Sequence, residues 1–388
     1  MSPLCESYVP AQRLDEPEVF YPLHVRLCNS CLLVQLPVYV PGEEIFSDYA
    51  YFSSYSDSWV EHARLYAEAM IDRLGLTSRS LVTEVASNDG YLLQHFQVRG
   101  IPVLGVEPAA NVAEAAIARG IPTVVEFLRP ETGQQIAQRH GKADLVAANN
   151  VFAHVPDIRG FAMGLRALVK DHGLVTLEFP HLLRLIEQRQ YDTIYHEHFS
   201  YLSLLTSSRA LGTAGLHVVD VDELSTHGGS LRIYARPEES ACEPTAQVKE
   251  VLRQEESAGL HTVVGHEGFA GEVLQIKSDL LKFLLSAAAE GRSVVGYGAP
   301  GKGNTLLNHC GIRSDLLQYT VDRSPAKQGR FLPGTHIPIY PPERLRETRP
   351  DYILVLPWNL RDEISRQLDF VKSWGARLVF PIPALEVI

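Results

Sequence analysis

Hydrophobic residues along the chain alternate between a helical spacing and short uninterrupted runs. Between residues 58 and 76 the apolar side chains recur at helical spacing, and a buried strand is predicted over 80–86. The strand runs into a polar Ser-Asn-Asp-Gly turn at 87–90, and a second helix is predicted from Tyr91. A strand, a tight polar turn with glycine and a helix form the first unit of a doubly wound nucleotide-binding fold, so the pattern predicts an α/β protein.

The alternation continues and predicts one α/β domain over 58–238. Its second strand ends at Glu107, where dinucleotide folds place an acid that binds ribose hydroxyls. Asn149, Asn150 and His154 follow the fourth strand, at the sheet edge where open α/β sheets bind ligands, although a loop with polar caps is an alternative. The other predicted elements are a helix over 109–119, strands over 103–108, 122–127 and 174–180, a strand with its exit loop over 143–157, and an antiparallel pair over 218–222 and 229–234.

A second nucleotide-type unit follows a charged, mostly helical stretch, which predicts a C-terminal domain over 239–388. Its first strand leads into a glycine-rich turn at 299–304, where backbone amides, a helix N-terminus and Lys302 are suited to holding phosphates. A later strand ends just before Trp358 and Asn359. The alternative interpretation is a structural α/β domain without a ligand.

The first 57 residues are irregular and rich in proline, and they predict a small N-terminal domain. Cys28 and Cys31 form a CxxC, which is half of a tetrahedral zinc site, flanked by short strands of a knuckle. We expect the natural start to lie upstream and to carry the missing pair; two reduced cysteines in a small β unit are the alternative. The tyrosine- and serine-rich stretch 46–59 suits either a lid over a pocket or an ordinary linker.

Composition narrows the class of protein. The chain has 388 residues, which favours two or three domains, and it is 45% hydrophobic and 21% charged, as in a globular protein. A net charge of -11 without a long basic run argues against a nucleic-acid partner. The sequence shows no apolar run long enough to span a bilayer and no secretory signal, and five cysteines without a regular framework fit a reducing cytoplasm.

The run 194–201 (Ile-Tyr-His-Glu-His-Phe-Ser-Tyr) concentrates side chains that hold or move protons. His196 and His198 titrate near physiological pH, and Glu197 can orient a histidine. The hydroxyl of Tyr195 can stabilise a developing oxyanion. A polar cluster that caps a buried loop and a His-x-His metal site remain the alternatives.

Taken together, these motifs resemble the sugar C-methyltransferases of antibiotic deoxysugar pathways, which methylate a nucleotide-linked 4-keto hexose. Glu84 and the turn at 87–90 resemble motif I of class I methyltransferases that use S-adenosylmethionine. The resemblance implies an N-terminal zinc-knuckle domain, here truncated, a Rossmann-like methyltransferase domain and a C-terminal Rossmann-like domain for the sugar nucleotide. The stretches that carry it are 28–36, 49–59, 84–90, 149–157, 195–201 with 227–229, and 296–304 with 357–359.

The resemblance also implies roles for residues. A 4-keto group acidifies the proton at C-3, a base removes it, and the resulting enolate carbon attacks the methyl group. His198 is the expected base, poised by Glu197; Tyr195 and Tyr49 are expected to stabilise the enolate, and His154 to contact the acceptor. The expected cofactor set is Glu84, Ala86, Asn88, Gly90, Glu107, Phe127, Asn149 and Asn150; the substrate set is Gly298, Lys302, Asn304, Trp358, Asn359 and His196; the zinc ligands are Cys28 and Cys31.

Three other functions stay open on the sequence alone. The glycine-rich turn at 299–304, with Asp322 after the next strand, also fits an NAD-binding oxidoreductase, although Pro300 interrupts the fingerprint. A methyltransferase that acts on a non-sugar carbon acid would use the same proton-abstraction residues. A non-catalytic sensor would not need the run at 194–201. The expected partner is a small molecule, most directly a nucleotide sugar, with no nucleic acid and no membrane.

Overall fold

The computed structural model describes residues 1–46 and 52–388. In chain order the strands are β1 (Val9–Pro10), β2 (Arg26–Leu27), β3 (Val34–Gln35), β4 (Val82–Val85), β5 (Val103–Val106), β6 (Thr123–Val124), β7 (Ala143–Asn149), β8 (Val169–Pro180), β9 (Ser200–Tyr201), β10 (Leu216–Leu224), β11 (Ser230–Pro237), β12 (Val294–Tyr297), β13 (Thr320–Val321), β14 (Arg330–Phe331), β15 (Ile339–Tyr340), β16 (Tyr352–Val355), β17 (Arg377–Phe380) and β18 (Glu386–Val387). The α-helices are α1 (Gly42–Phe46), α2 (Asp57–Leu74), α3 (Leu93–Gln97), α4 (Ala110–Ala118), α5 (Pro130–His140), α6 (Ile158–Leu168), α7 (Leu182–Glu187), α8 (Leu204–Gly212), α9 (Ala246–Ser257), α10 (Phe269–Ala289), α11 (Gly301–Cys310), α12 (Arg344–Thr348) and α13 (Arg361–Gln367).

The chain divides into two compact units. The central unit comprises Arg26–Leu183 and His198–Gly265, and the C-terminal unit comprises Met1–Val25, Arg184–Glu197 and His266–Ile388. The domain boundaries that the sequence predicts, at 57/58 and 238/239, stay predictions. No helix in the two described ranges has the length and the apolar surface that crossing a bilayer requires.

The central unit is built on a seven-stranded sheet in the order β10-β11-β8-β7-β4-β5-β6. The strands from β8 to β6 are parallel, and β11 joins β8 antiparallel. Both faces of the sheet are buried, because Leu145 and Ala147 of β7 belong to one core cluster while Val146 and Ala148 belong to another. The predicted doubly wound fold with a closing antiparallel pair is confirmed.

The bounds of helix α2 and strand β8 can be compared with the sequence pattern. Helix α2 begins after Ser56, whose hydroxyl accepts from the backbone N–H of Trp59, and it ends at Gly75, which is left-handed at φ 59°. Strand β8 begins at Val169, five residues before the predicted start, and pairs with β7 from there.

Helices α5 and α6 approach closely through glycine. A Cβ atom on Gly133 would lie 2.8 Å from the carbonyl oxygen of Gly164, which is closer than real contacts allow. By contrast, a Cβ atom on Gly271, within α10, would meet nothing within 4 Å. We therefore expect the same substitution to have opposite effects at these two positions.

Gly133→Ala should lower the free energy of unfolding by about 1–3 kcal/mol, because the extra methyl forces the two helices apart. Gly271→Ala should raise that free energy by about 0.5–1 kcal/mol, because alanine loses less backbone entropy in a helix. Denaturant titration followed by circular dichroism measures both. If both substitutions changed the free energy of unfolding by the same amount and in the same direction, the close packing of α5 and α6 would be contradicted.

The predicted knuckle around the CxxC belongs to the central unit. Strands β2 and β3 pair antiparallel, and β3 pairs in turn with β9. The backbone N–H of Leu36 also donates to the carbonyl of Phe199, at 2.9 Å. The knuckle thus supports the strand that follows His198.

The C-terminal unit contains a second Rossmann-like sheet, in the order β15-β13-β12-β16-β17-β18. Strands β15 to β17 are parallel, and α10 packs on them through Ile276, Leu280, Leu284 and Ala287, spaced at helical intervals. The predicted second α/β unit is confirmed, and β1 pairs with β14. Strand order reverses beside β12, and the loops after β12 and β16 therefore border the crevice where such sheets bind ligands.

Candidate active site

The turn after β4 is shaped by three left-handed residues. Ala86, Asn88 and Gly90 have φ values of 56°, 49° and 80°. A Cβ atom on Gly90 would come within 2.8 Å of Ile121 Cγ1, so glycine is required there. The Asn88 side chain accepts from the backbone N–H of Ser53 at 2.8 Å. The residues expected to hold the cofactor thus form a tightly curved backbone at the carboxyl end of β4.

Glu107 ties this turn to the end of β5. One carboxylate oxygen accepts from the backbone N–H of Asn88 and the other from that of Ala109, each at 2.9 Å. Burial raises the pKa of Glu107, while the two backbone hydrogen bonds oppose the rise. The carboxylate is therefore fixed at the position where nucleotide folds bind ribose hydroxyls.

Glu84, on β4 itself, is buried with an unsatisfied oxygen. Burial, followed by the charges of Glu107 and Asp89, raises the pKa of Glu84 well above its ordinary value. In the described part of the chain, Glu84 Oε2 has no hydrogen-bond partner. A buried acceptor without a partner is costly, so this oxygen fits a polar ligand group.

The end of β7 presents further polar atoms. Asn150 is left-handed at φ 56°, and its backbone N–H donates to the carbonyl of Glu178 at 2.6 Å. Among the described residues, Asn149 Oδ1 and both side-chain polar atoms of Asn150 are buried without a partner. Phe127 lies just after β6, half-buried, with the Arg129 guanidinium 5.9 Å from its ring centroid. Glu84, Asn88, Glu107, Asn149 and Asn150 thus gather at one edge of the sheet and fit a nucleoside-bearing cofactor.

His154 and His198 lie together at that edge. Their ring centroids are 4.7 Å apart with an interplanar angle of 70°. The backbone N–H of Phe199 donates to the carbonyl of Ala153 at 2.8 Å, which joins the two loops directly. Phe46 packs edge-on against His154 at 5.7 Å. Two of the predicted catalytic residues, 44 positions apart in the sequence, are therefore neighbours.

Tyr195, His196 and Glu197 belong to the C-terminal unit, and Tyr49 lies outside the described residues. Tyr195 is half-buried. His196 Nε2 donates to the carbonyl of Pro22 at 3.1 Å, and Tyr21 packs edge-on against its ring. Burial lowers the pKa of His196.

Glu197 is buried against the N-terminal segment. Its Oε1 accepts a hydrogen bond from the Cys5 thiol at 3.5 Å. Burial and the charge of Glu6 raise the pKa of Glu197 to about 7, against the opposing effects of Cys5 and Lys327. The carboxyl therefore exchanges its proton near neutral pH.

This pKa has a consequence for stability. A glutamate side chain in the unfolded chain has a pKa of about 4.3. Between that pH and about 7 the folded chain therefore binds more protons than the unfolded chain. The free energy of unfolding should fall through this window as pH rises. Glu197→Gln removes that loss, and its stability relative to wild type should grow by about 3 kcal/mol from pH 4.3 to 7.5. Denaturant titration at a series of pH values measures this difference, and the exposed Glu290→Gln variant is the control. If the free energy of unfolding had the same pH dependence in Glu197→Gln and wild type, the burial of Glu197 would be contradicted.

The glycine-rich turn of the C-terminal unit is engaged by side chains of the same unit. Gly298 is left-handed at φ 85°, and a Cβ atom there would lie 2.6 Å from Pro357 Cδ. Lys302 Nζ donates to Asn359 Oδ1 at 2.9 Å and lies 4.7 Å from the ring centroid of Trp358. Burial lowers the pKa of Lys302, against the charge of Asp192.

Two features of this unit escaped sequence analysis. The first is Asp192, which is buried and whose carboxylate accepts from Trp358 Nε1–H at 2.7 Å. The second is the N-terminal segment Cys5–Tyr8, because Asn304 Nδ2 donates to the carbonyl of Cys5 at 2.6 Å and Tyr8 donates to that of Ala299. These pairs join positions about 170–300 residues apart, and no local pattern announces them.

The CxxC supplies two thiols of a zinc site. Backbone hydrogen bonds from Cys31 and Ser30 lower the pKa of Cys28, which suits a thiolate ligand. Residues 1–46 and 52–388 contain no group of three or more histidine, cysteine, aspartate or glutamate side chains that could hold a metal ion. The described chain thus fits half of a structural tetrahedral site, and it offers no His-x-His metal centre at His196 and His198.

Three family models match the chain in succession. Residues 1–46 match the family described as "Putative zinc binding domain", residues 59–221 match "Methyltransferase domain", and residues 225–383 match "C-methyltransferase C-terminal domain". Together they reproduce the order of parts that the sequence motifs predict.

The chain is 38% identical to C-methyltransferase NovU of Streptomyces niveus over 372 residues. This alignment covers 96% of this chain and 88% of NovU. Among solved structures, magnesium protoporphyrin IX methyltransferase from Synechocystis with bound SAM covers 50% of this chain and 88% of its own, at 17% identity and a TM-score of 0.34. An S-adenosylmethionine-dependent methyltransferase from Clostridium acetobutylicum covers 46% and 92%, at 10% identity and a TM-score of 0.36.

The match to NovU extends over nearly the whole chain, and the methyltransferase family model covers the unit that carries Glu84, Glu107 and the paired histidines. The central unit is accordingly a class I, Rossmann-like methyltransferase fold that uses S-adenosylmethionine. The N-terminal residues match a zinc-binding family, as the CxxC predicts. The chain belongs to the deoxysugar C-methyltransferase family of S-adenosylmethionine-dependent enzymes.

Proposed function

We propose that this enzyme methylates the carbon next to the ketone of a nucleotide-linked 4-keto deoxysugar, most directly C-3, with His198 as the general base. The observation that carries the proposal is the proximity of His154 and His198, whose ring centroids are 4.7 Å apart. The hydrogen bond between the Phe199 N–H and the Ala153 carbonyl joins their two loops. The loop of His154 follows β7, the strand that ends in Asn149. Proton-handling groups thus adjoin the edge that fits the cofactor.

The cofactor residues have separable tasks. Glu107 would hold the ribose, and Glu84 with the turn Ala86–Gly90 would hold the amino-acid part; Asn149 and Asn150 offer buried polar atoms to the remainder. When bound, S-adenosylmethionine supplies an electrophilic methyl group. The residues around it position that group and exclude water from it.

Proton removal falls to the histidine pair. A ketone acidifies the hydrogen on the adjacent carbon, and an imidazole with a pKa near neutrality is suited to remove it. His198 is mostly buried, so its ring lies in the interior of the site and keeps a small exposed fraction through which its proton can leave. His154, beside it, would donate a hydrogen bond to an acceptor oxygen. Glu197, with a pKa of about 7, and the hydroxyls of Tyr195 and Tyr49 remain proposed catalytic groups.

The C-terminal unit is the proposed holder of the nucleotide. Its turn, with Gly298, Lys302 and Asn304 and with Trp358 and Asn359 across the crevice, has the chemistry to hold a diphosphate. Lys302 and Asn304 already bind Asn359 and the Cys5 carbonyl, so a diphosphate would have to replace these partners. His196, packed on Tyr21 and Pro22, is the remaining member of the proposed substrate set.

A methyltransferase for a non-sugar carbon acid is the second candidate, since the same histidine pair would serve it. Calorimetric titration with S-adenosylhomocysteine and then with dTDP separates the two. We expect both to bind, and Lys302→Met to weaken dTDP alone. Binding of S-adenosylhomocysteine without dTDP or any other nucleoside diphosphate would contradict the sugar-nucleotide acceptor.

A further inference from the structure

The central unit holds a second group of ionisable side chains, around Glu178 of β8. The Glu178 side chain is fully buried, and Arg232 Nη2 and Nε donate to its Oε2 at 2.9 and 3.2 Å. His62 Nε2 lies 2.9 and 3.1 Å from its two oxygens, and Thr226 donates to Oε1. Burial raises the pKa of Glu178, but the His62 hydrogen bond and the Arg232 charge hold it below its ordinary value. Glu178 is therefore ionised.

The contacts of the carboxylate define where His62 carries its proton. A lone pair on Nε2 would face two anionic oxygens, whereas an N–H there donates to them. Arg232 Nη2 also lies 3.1 Å from Nε2, but an N–H on Nε2 reaches two anionic oxygens of Glu178, which outweighs this single contact with a cation. Nε2 thus carries a proton in the Glu178 hydrogen bond, and Nδ1, on the other side of the ring, is the nitrogen that would face a ligand.

The imidazole is both restrained and accessible. Trp59 stacks on it with ring centroids 5.1 Å apart and an interplanar angle of 19°. The His62 side chain keeps 24% of its surface exposed. A carboxylate-held histidine that a ligand can reach is the arrangement that proton transfer uses. An ion pair of Arg232 and Glu178 with a purely structural role would not need the histidine.

The position of this pair links it to the methyl-transfer site. Glu178 lies opposite Asn149 in the β7–β8 ladder, and its carbonyl accepts from the N–H of Asn150. His62 lies in the second turn of α2, and the segment that leads into α2 is fastened to the β4 turn by the Ser53–Asn88 hydrogen bond. His62 therefore binds a side chain of the strand that pairs with β7 at Asn149, one of the proposed cofactor residues.

We propose that His62, held by Glu178, is a further catalytic residue of this enzyme, one that donates a proton to the carbonyl oxygen of the acceptor. The inference rests on the proposed acceptor being a ketone. His62 acts as the imidazolium, with an N–H on both Nε2 and Nδ1. As His198 removes the α-proton, the C–H electron pair forms the C=C bond and the carbonyl π pair takes the Nδ1 proton, which leaves His62 neutral with its Nε2–H on Glu178. The C=C pair then forms the bond to the methyl group, while the S–CH3 pair would stay on the sulfur of the departing S-adenosylhomocysteine. The O–H pair reforms the C=O bond, and the proton returns to His62 Nδ1. The proton on His198 leaves to solvent.

The test separates enolisation from methylation. The holoenzyme with saturating S-adenosylhomocysteine is incubated with dTDP-4-keto-6-deoxyglucose in D2O, and deuterium on the α-carbons is followed by NMR. In wild type we expect exchange. In His62→Ala, exchange and methyl transfer should fall together by about 10²-fold or more, with the affinity for S-adenosylhomocysteine unchanged.

A second measurement distinguishes proton transfer from mere packing. Added imidazole should restore exchange in His62→Ala, and a series of substituted imidazoles should restore it to a degree that follows their pKa. The exposed His140→Ala variant is the matched control. Unchanged exchange in His62→Ala, or a rescue independent of imidazole pKa, would overturn the role of His62. Absence of exchange in wild type, with methyl transfer intact, would overturn the enolisation step proposed for this enzyme instead.

Discussion

His198→Ala is expected to lower methyl transfer at least 10³-fold while binding of S-adenosylhomocysteine stays within about twofold of wild type. The size follows from the loss of the general base. His154 lies edge-on to His198, but its proposed role is a hydrogen bond to the acceptor oxygen and not proton removal. Rates are measured with saturating acceptor and cofactor, and affinity by calorimetry.

His140→Ala provides the control for a histidine removed from α5, since that side chain is exposed. Circular dichroism establishes that each variant is folded. If His198→Ala turned over at a rate near wild type, His198 would not be the base. A loss of cofactor affinity equal to the loss of rate would contradict a role confined to the acceptor.

Glu107→Gln is expected to weaken S-adenosylhomocysteine by about 10–100-fold, because hydrogen bonds to an ionised carboxylate are worth about 1.5–3 kcal/mol each. An amide has one acceptor oxygen, whereas Glu107 uses two to hold the backbone N–H groups of Asn88 and Ala109. The substitution therefore removes ribose acceptors and also leaves one of these donors unsatisfied. Calorimetry with S-adenosylhomocysteine measures the loss.

The matched control is Glu114→Gln, an exposed glutamate on α4, the helix that follows Glu107. It should bind S-adenosylhomocysteine with wild-type affinity. Glu107→Gln should in addition unfold at a lower temperature in the absence of ligand, because a buried N–H has lost its acceptor. Wild-type affinity in folded Glu107→Gln would show that the ribose lies elsewhere.

The sequence predicted the parts of the fold that local patterns determine. The apolar runs of β4 and β7, buried on both faces, and the polar turn with Gly90 are visible because burial and left-handed backbone restrict the residues allowed there. Glu107, the acid at the end of the second strand, was also predicted from a local pattern, its position after a buried apolar run. His154 was predicted from its place after the fourth strand and His198 from the polar run at 194–201, while the family resemblance implied their roles. That the two rings are neighbours is visible only in the fold.

The rest depends on pairings between distant positions. Glu178 looks like one more polar residue at a strand end, and His62 like one more polar position on an amphipathic helix, yet they meet across 116 residues. The same holds for Cys5 and Glu197, which are 192 residues apart. No periodicity encodes such contacts, because each side chain alone satisfies the pattern of its own element.

The proposed reaction of this enzyme forms a bond between a methyl group and a carbon next to a ketone. The most direct measurement is NMR of the product formed from ¹³C-methyl-labelled S-adenosylmethionine and dTDP-4-keto-6-deoxyglucose in D2O. We expect the labelled methyl to couple to a carbon adjacent to the carbonyl, and that carbon to have lost its hydrogen. A labelled methyl on oxygen or nitrogen, or no transfer to any 4-keto nucleotide sugar, would contradict the account.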